Sequence, residues 1–163
     1  MSSVDNLKNA FAGESQANRK YLAFAKKADE EGLKQVAKLF RAAAEAETVH
    51  AHSHLRALGG VKTTKENLQD AINGETYEFT KMYPHMIEEA KTEGNKQALQ
   101  SFEHANSVEK THAALYQKAL NNQGNNETVD YFVCPFCGHT AEKEAPDKCP
   151  VCTAPESKFI KIN

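Results

Sequence analysis

The sequence has no excess of charge of either sign. It contains 20 lysine and arginine residues against 22 aspartate and glutamate residues, which gives a formal net charge of −2. A protein that binds the phosphate backbone of DNA or RNA needs a basic surface, and no basic cluster is visible in the sequence. We therefore expect no nucleic-acid partner.

The chain also lacks a long apolar run. No stretch approaches the roughly 20 apolar residues that a membrane-spanning helix needs. Residues 1–6 have no apolar core, so they do not predict a secretory signal peptide. These two absences predict a protein of the cytoplasm that does not bind membranes.

Cysteine is missing from most of the chain, and all four cysteines fall in the last thirty residues. They form two Cys-x-x-Cys pairs, Cys134/Cys137 and Cys149/Cys152, with eleven residues between the pairs. In a cytosolic protein such pairs bind metal more often than they form disulfides. Four thiolates at this spacing predict one tetrahedral metal site. The spacing fits iron and zinc alike, and a zinc ribbon is the commoner structure for such a segment.

The cysteine segment is short, and fewer than forty residues seldom fold on apolar burial alone. Residues 131–133 and 159–162 have the composition of short strands. We expect Tyr131, Phe136 and Phe159 to form a small aromatic core around the metal. A polar stretch rich in asparagine precedes this segment and predicts a linker.

The rest of the chain predicts four helices, at about residues 3–31, 33–58, 64–93 and 95–120. Apolar side chains recur in each at the three-four spacing of a bundle helix. Thr63 and Glu66 form a capping box at the start of the third helix. Pro84 lies inside that helix and should kink it, because proline removes one backbone hydrogen bond.

Two copies of Glu-x-x-His lie on the inward-facing seams of the second and fourth helices. They are Glu47 with His50, and Glu109 with His112. The spacing places both side chains of a copy on one helix face, one turn apart. A glutamate in a bundle core is costly unless it is paired or bound to a metal. One copy is common by chance, but two copies without an interior lysine or arginine indicate a metal centre.

The four helices also form an internal repeat of two hairpins. Glu14 precedes Glu47 by 33 residues, and Glu75 precedes Glu109 by 34. In carboxylate-bridged dimetal bundles, two helices supply one glutamate each and two supply Glu-x-x-His. The repeat therefore predicts six symmetric ligands. Such an oxygen-rich set with two imidazoles favours iron or manganese over zinc.

Glu78 is a seventh carboxylate, one helical turn from Glu75, without a symmetric counterpart. Its equivalent in the first hairpin is Ala17, which cannot bind a metal. Tyr21 and Tyr83 each follow a predicted ligand by two helical turns. They are candidates for hydrogen-bonding and orienting the carboxylates, with plain core packing as the alternative.

The bundle and the cysteine segment together resemble the rubrerythrin family. The resemblance covers nearly the whole chain and includes the runs Gly-Glu-Ser-Gln-Ala-Asn at 13–18 and Gly-Glu-Thr-Tyr-Glu-Phe-Thr-Lys-Met-Tyr-Pro at 74–84. It implies a mainly α protein with a ferritin-like four-helix bundle at 1–122, a linker at 123–128, and a small rubredoxin-like, metal-bound β domain at 129–163. One departure is Thr153, where the family usually has a glycine suited to positive φ.

The resemblance implies a di-iron centre in the bundle and one iron on the four cysteines, with zinc as an alternative in the latter. The implied metal ligands are Glu14, Glu47, His50, Glu75, Glu78, Glu109, His112, Cys134, Cys137, Cys149 and Cys152. Glu47 and Glu109 are expected to bridge the two metals. Glu78 is expected to replace His50 as a ligand when the centre is oxidised.

The implied activity is a peroxidase that reduces hydrogen peroxide to water in defence against oxidative stress. The residues expected to take part are Glu78, His50, Tyr21 and Tyr83. Electrons are expected to come from rubredoxin or an NAD(P)H-dependent flavoprotein, and the tail of one subunit is expected to serve another in a head-to-tail homodimer. The alternatives are a ferritin-like iron oxidase or store, and a non-catalytic zinc-ribbon adaptor.

Overall fold

The computed structural model describes residues 2–163 and divides into two units, Met1–Lys62 and Thr63–Asn163. The first unit is a hairpin of α1 (Ser3–Glu30) and α2 (Lys34–Ala57). The second holds α3 (Thr64–Tyr77), a π-helical segment (Glu78–Met82), α4 (Tyr83–Glu93), α5 (Lys96–Asn121), β1 (Tyr131–Val133), β2 (Thr140–Glu142), a 3-10 turn (Glu156–Lys158) and β3 (Ile160–Ile162). None of the described helices is long and apolar enough to cross a membrane.

In the first unit, α1 and α2 pack through small side chains. The buried residues of this hairpin are Ala25, Ala28, Ala37, Ala44 and Ala51. Ser2 and Asp5 form a capping box that starts α1, and Gly32 ends it with a φ of +76°. Glycine adopts this left-handed conformation without the clash that a Cβ would cause. The chain therefore reverses sharply, and the alanines let the two helix backbones come close.

In the second unit, the predicted kinked helix is replaced by α3, the π-helical segment and α4. The π-helical segment ends directly before Tyr83 and Pro84. Proline lies in the first turn of α4, where its missing N–H is least costly. The interruption falls close to the predicted position, but its form is a π-bulge, which inserts one extra residue into a helix.

The cysteine segment forms a three-stranded antiparallel sheet in the order β2-β1-β3. The strands predicted at 131–133 and 159–162 are present as β1 and β3, with β3 starting one residue later than predicted, whereas β2 was not predicted. The expected aromatic core is wrong in two of its three members, because Phe136 is 64% and Tyr131 39% exposed. The core consists instead of Cys134, Cys149 and Ala154, with Cys137, Val151, Cys152 and Phe159 packed against it. Because the four cysteine side chains converge in the centre of the domain, little space is left there for the aromatic rings of Tyr131 and Phe136.

The two cysteine turns have the same backbone geometry. The amide of Gly138 donates to the carbonyl of Cys134 at 2.9 Å, and the amide of Thr153 donates to the carbonyl of Cys149 at 2.9 Å. Both turn residues have positive φ, +85° for Gly138 and +63° for Thr153. The departure at Thr153 therefore keeps the shape of the turn and places a β-branched residue in the left-handed region, which costs about 1–2 kcal/mol.

Candidate metal centre

The first hairpin brings together Glu14 from α1 with Glu47 and His50 from α2. One potential ligand atom from each lies within 4.8 Å of the others. The Nδ1 atom of His50 is 2.9 Å from Oε2 of Glu47. Hydrogen bonds from His50 and Glu14 lower the pKa of the Glu47 carboxyl. The cluster is fairly open to solvent, since the His50 side chain is 55% exposed.

Asn18 fixes the register of α1 against α2 beside this cluster. Its Nδ2 donates to the carbonyl of Ala44 at 2.7 Å and to Oγ1 of Thr48 at 2.8 Å. Asn18 lies one turn after Glu14, and Thr48 directly follows Glu47. The hydrogen bonds therefore hold the ligand-bearing turns of the two helices side by side.

The second unit brings together Glu75 from α3 with Glu109 and His112 from α5, again within 4.8 Å. The Nδ1 atom of His112 is 2.8 Å from Oε2 of Glu109 and 3.8 Å from Oε1 of Glu75. All three side chains are largely sheltered, with exposures of 27% for His112, 15% for Glu109 and 19% for Glu75. The repeat thus gives two clusters with the same three residue types.

Crowding of carboxylates makes the second cluster unfavourable without a cation. Burial, together with a hydrogen bond and repulsion from Glu109, raises the pKa of Glu75 to about 7. Burial and the charge of Glu109 also raise the pKa of Glu78. A cation among these groups would relieve the repulsion, so the electrostatics of the cluster fit a metal site.

Glu78 belongs to the same neighbourhood but is not one of the three converging ligands. It is the first residue of the π-helical segment. The extra residue of the second hairpin lies between Glu75 and Gly94, because Gly32 follows Glu14 by 18 residues and Gly94 follows Glu75 by 19. The π-helical segment lies in this stretch and accounts for the repeat spacing of 34 residues in place of 33.

Tyr21 and Tyr83 both contact aromatic rings. Tyr21 lies 6.2 Å from Phe40, and Tyr83 lies 6.3 Å from Phe102, between ring centroids. Within residues 2–163, no hydrogen bond joins either hydroxyl to a predicted ligand. Burial and the charges of Glu109, Glu78 and Glu75 nevertheless raise the pKa of Tyr83. Both rings therefore pack against an aromatic neighbour, and Tyr83 in addition lies near the carboxylates of the second cluster.

The four cysteine sulfurs converge on one point, with each ligand atom within 4.8 Å of the others. Cys134 Sγ is 3.5 Å from Cys152 Sγ, and Cys137 Sγ is 3.5 Å from Cys149 Sγ. A tetrahedral site with metal–sulfur bonds of about 2.3 Å needs sulfurs about 3.8 Å apart. Burial acts to raise the pKa of Cys149, but backbone amides of Cys152 and Val151 bring it down to about 7. The residues therefore fit one tetrahedral metal.

The cysteine domain packs against α5 in the second unit. Thr140 and Glu142, alternate residues of β2, face the helix, as the two-residue period of a strand requires. Thr140 Oγ1 lies 3.0 Å from His112 Nε2, and Glu142 Oε2 lies 2.6 Å from Lys118 Nζ. Gly138, two residues before the strand, has space for a side chain, since a Cβ placed there would be 3.8 Å from Cγ1 of Val108. The partner of Thr140, His112, is a predicted metal ligand.

The rubrerythrin family model matches residues 5–120, and the model of the rubrerythrin rubredoxin-like domain matches residues 132–160. The chain belongs to the rubrerythrin family. This confirms the resemblance and the mainly α fold with a rubredoxin-like domain. The oxygen-rich clusters and the four thiolates fit the di-iron site and the Fe(Cys)4 site of that family.

Several relatives cover almost the whole chain. Nigerythrin of Nitratidesulfovibrio vulgaris is 37% identical over 172 residues, covering 97% of this chain and 85% of its own length. Rubrerythrin-2 of Clostridium acetobutylicum is 33% identical over 173 residues, covering 96% and 94%. The solved structure of partially reduced nigerythrin matches with a TM-score of 0.61 and 36% identity, covering 99% of this chain and 87% of that chain.

Two residues of this rubrerythrin-family site were not found from the sequence. Thr140, which contacts His112, and Lys118, which pairs with Glu142, carry no motif. The available signal was the alternation Gly138-x-Thr140-x-Glu142 directly after a cysteine turn. It identifies one face of a short strand but gives no indication of the helix that the face contacts.

Proposed function

We propose that this protein is a non-haem di-iron peroxidase that reduces hydrogen peroxide to water, with electrons relayed through its Fe(Cys)4 site. The reaction consumes one peroxide, two electrons and two protons and yields two waters. The supporting observation is the pair of matching Glu/Glu/His clusters in a chain that also carries a four-thiolate cluster docked on one of the ligand-bearing helices.

The proposal assigns six residues to the two metals of the bundle. Glu14, Glu47 and His50 would hold metal in the first cluster, and Glu75, Glu109 and His112 in the second. Glu47 and Glu109 would be the carboxylates shared by the two metals, a role proposed from their central place in the repeat. Within its own cluster, each lies against the histidine and the other glutamate. Bound ferrous irons would supply the two electrons that peroxide needs.

Glu78 is proposed as a seventh ligand that is needed for turnover and not for assembly. It has no partner in the repeat, and its carboxyl lies close enough to Glu109 for its pKa to rise. An additional anionic oxygen favours the more highly charged metal. Tyr83, beside the same carboxylates, is the tyrosine that we propose to assist the reaction, and Tyr21 is proposed to support the first cluster.

The rubredoxin-like domain is proposed as the place where electrons reach the chain. Rubredoxin or an NAD(P)H-dependent flavoprotein is the expected donor, since peroxidases of this type need an external reductant. Contact between this domain and His112 lies within residues 63–163, which supports delivery within one chain. The predicted alternative is a head-to-tail homodimer in which the tail of one subunit serves another, and sedimentation analysis of the full-length protein tests whether a dimer forms.

The test is metal analysis of anaerobically purified protein followed by mixing of its reduced form with peroxide. We expect two irons in the bundle and one on the cysteines, and oxidation of the bundle by one peroxide. Glu109→Ala should lose bundle iron, whereas Glu103→Ala, on the exposed side of the same helix, should keep it. Faster oxidation by dioxygen than by peroxide would point to an iron oxidase, and a colourless zinc protein to an adaptor.

A further inference from the structure

The two ring nitrogens of His112 are held from opposite sides. Nδ1 is 2.8 Å from Oε2 of Glu109, and Nε2 is 3.0 Å from Oγ1 of Thr140 in β2 of the rubredoxin-like domain. His50, its counterpart in the repeat, is held only at Nδ1 within the described residues, by Glu47 at 2.9 Å. Thr140 thus makes a contact that distinguishes the two histidines.

The hydrogen bonding of Thr140 leaves its oxygen available as an acceptor for Nε2 of His112. A threonine hydroxyl has one hydrogen, and Thr140 donates it to the carbonyl of Gly138 at 3.2 Å. The oxygen of Thr140 can then accept a hydrogen bond from Nε2 of His112. On the other side of the ring, Nδ1 and Oε2 of Glu109 lie 2.8 Å apart, so without a metal these two atoms share a proton. A metal bound among the carboxylates would take the place of that proton at Nδ1, while Nε2 would keep its hydrogen and donate it to Thr140.

We propose that Thr140 is a positioning residue of the metal centre: its hydroxyl fixes the ring of His112 with Nδ1 presented to the metal and ties the cysteine turn to α5. This rests on the proposed role of His112 as a ligand. Metal-binding histidines generally donate their second N–H to a fixed acceptor, which orients the ring and raises its basicity. Here the acceptor comes from the electron-transfer domain, three residues after Cys137.

The surroundings of the contact offer little that could replace Thr140. A cavity of about 370 Å³ borders it and is lined by Leu68, Leu115, Tyr116, Ala119, Tyr131, His112 and Thr140. Most of this lining is apolar. Without the hydroxyl, the Nε2 proton of His112 would face the cavity and exchange with water that enters it. The rate of that exchange therefore reports on the hydrogen bond directly.

The experiment uses the full-length, iron-loaded, reduced protein and three variants. Thr140→Val removes the hydroxyl and keeps the shape, and Thr140→Ser keeps the hydroxyl. Thr92→Val is the matched control, because the Thr92 hydroxyl is exposed and bonds only its own helix at Glu88. The measurements are solvent exchange of the iron-shifted histidine N–H resonances by proton NMR, iron release to a chelator, and the visible spectrum of Fe(Cys)4.

Wild type, Thr140→Ser and Thr92→Val should retain one slowly exchanging histidine N–H. In Thr140→Val this proton should exchange at least about tenfold faster, with bundle iron released about tenfold faster and an unchanged Fe(Cys)4 spectrum. Unchanged exchange and release in Thr140→Val would overturn the inference, as would equal losses in Thr140→Ser. If wild type binds iron but does not reduce peroxide, the proposed function fails while these comparisons still decide the role of Thr140.

Discussion

The two halves of the repeat hold the same three ligand types in different environments. In the first cluster, His50 is 55% exposed and hydrogen bonds from it and Glu14 lower the pKa of Glu47. In the second, His112 is 27% exposed, and burial and carboxylate crowding raise the pKa of Glu75 to about 7. Two clusters with the same residue types therefore differ electrostatically. Burial and neighbouring charge determine how much a bound cation would stabilise the carboxylates of each cluster.

The difference has identifiable structural causes. The first cluster is supported by Asn18, which ties α1 to α2, and among the described residues its converging group holds two carboxylates, those of Glu14 and Glu47. The second includes Glu78 at the start of the π-helical segment, and the rubredoxin-like domain contacts it through Thr140. One extra residue and one docked domain thus distinguish the second half of the repeat from the first.

The largest expected effect comes from disabling the docked domain. Cys149→Ser removes one of four thiolates and should weaken the cysteine site, so donor-driven peroxide turnover should fall by at least about 100-fold. Bundle iron that has been reduced chemically should still be oxidised by peroxide, because the ligands of both clusters are untouched. Stopped-flow measurements with and without a reducing protein compare the donor-driven turnover with the oxidation of chemically reduced bundle iron.

Ser157→Ala is a control in the same domain, on the exposed 3-10 turn, and should leave turnover unchanged. Undiminished donor-driven turnover in Cys149→Ser would mean that electrons reach the bundle by another way. Loss of the chemically driven reaction as well would mean that the cysteine domain is needed to keep the second cluster intact.

Removal of Glu78 is expected to have the next largest effect. Glu78→Ala should retain two bundle irons per chain, because three ligands converge in each cluster without it. Peroxide turnover should fall by about 10- to 100-fold, the range typical of residues that support a metal centre. Glu89→Ala, an exposed glutamate on α4, is the control. Loss of iron from Glu78→Ala would show that the residue is needed for assembly.

The sequence predicted which side chains converge better than it predicted their surroundings. Helical spacing and the repeat identified both clusters, because positions on one helix face follow directly from 3.6 residues per turn. The docking of β2 on α5 could not be predicted, since a three-residue strand is too short to give a pattern and periodicity does not reveal what packs on a face. The expectation for Phe136 failed because four converging cysteines occupy the centre of the domain.

A smaller effect is expected in the metal-free bundle, where substitutions in the two clusters should change the stability with a different dependence on pH. Glu75 has a raised pKa, so the stability linked to its proton is present below about 4.5 and is lost as pH rises through about 7. Glu75→Gln keeps a neutral group at every pH. It should stabilise the metal-free bundle by on the order of 1 kcal/mol at pH 8, or about 2–4 °C in Tm, and by little at pH 5.

Glu14→Gln is the matched variant in the first cluster, where Glu14 helps to lower the pKa of Glu47 through a hydrogen bond. It should give no gain at pH 8. Thermal unfolding at both pH values is the measurement. Equal gains from both variants would mean that the two clusters carry similar electrostatic strain and that their difference lies only in exposure.

The smallest effect concerns a second pair of equivalent sites, the two cysteine turns. Gly138 and Thr153 occupy the same position with positive φ, but only glycine is free of the clash between Cβ and the backbone. Thr153→Gly should therefore stabilise the rubredoxin-like domain by about 1 kcal/mol, less the entropy that a new glycine gains in the unfolded chain. Gly138→Ala should destabilise this domain by a similar amount, because it introduces the strain that Thr153 already carries.

Loss of the Fe(Cys)4 absorption in increasing guanidinium chloride measures the stability of both variants. If Thr153→Gly lowers the midpoint, contacts of the threonine side chain outweigh the backbone strain, and the two turns differ in packing as the two clusters do.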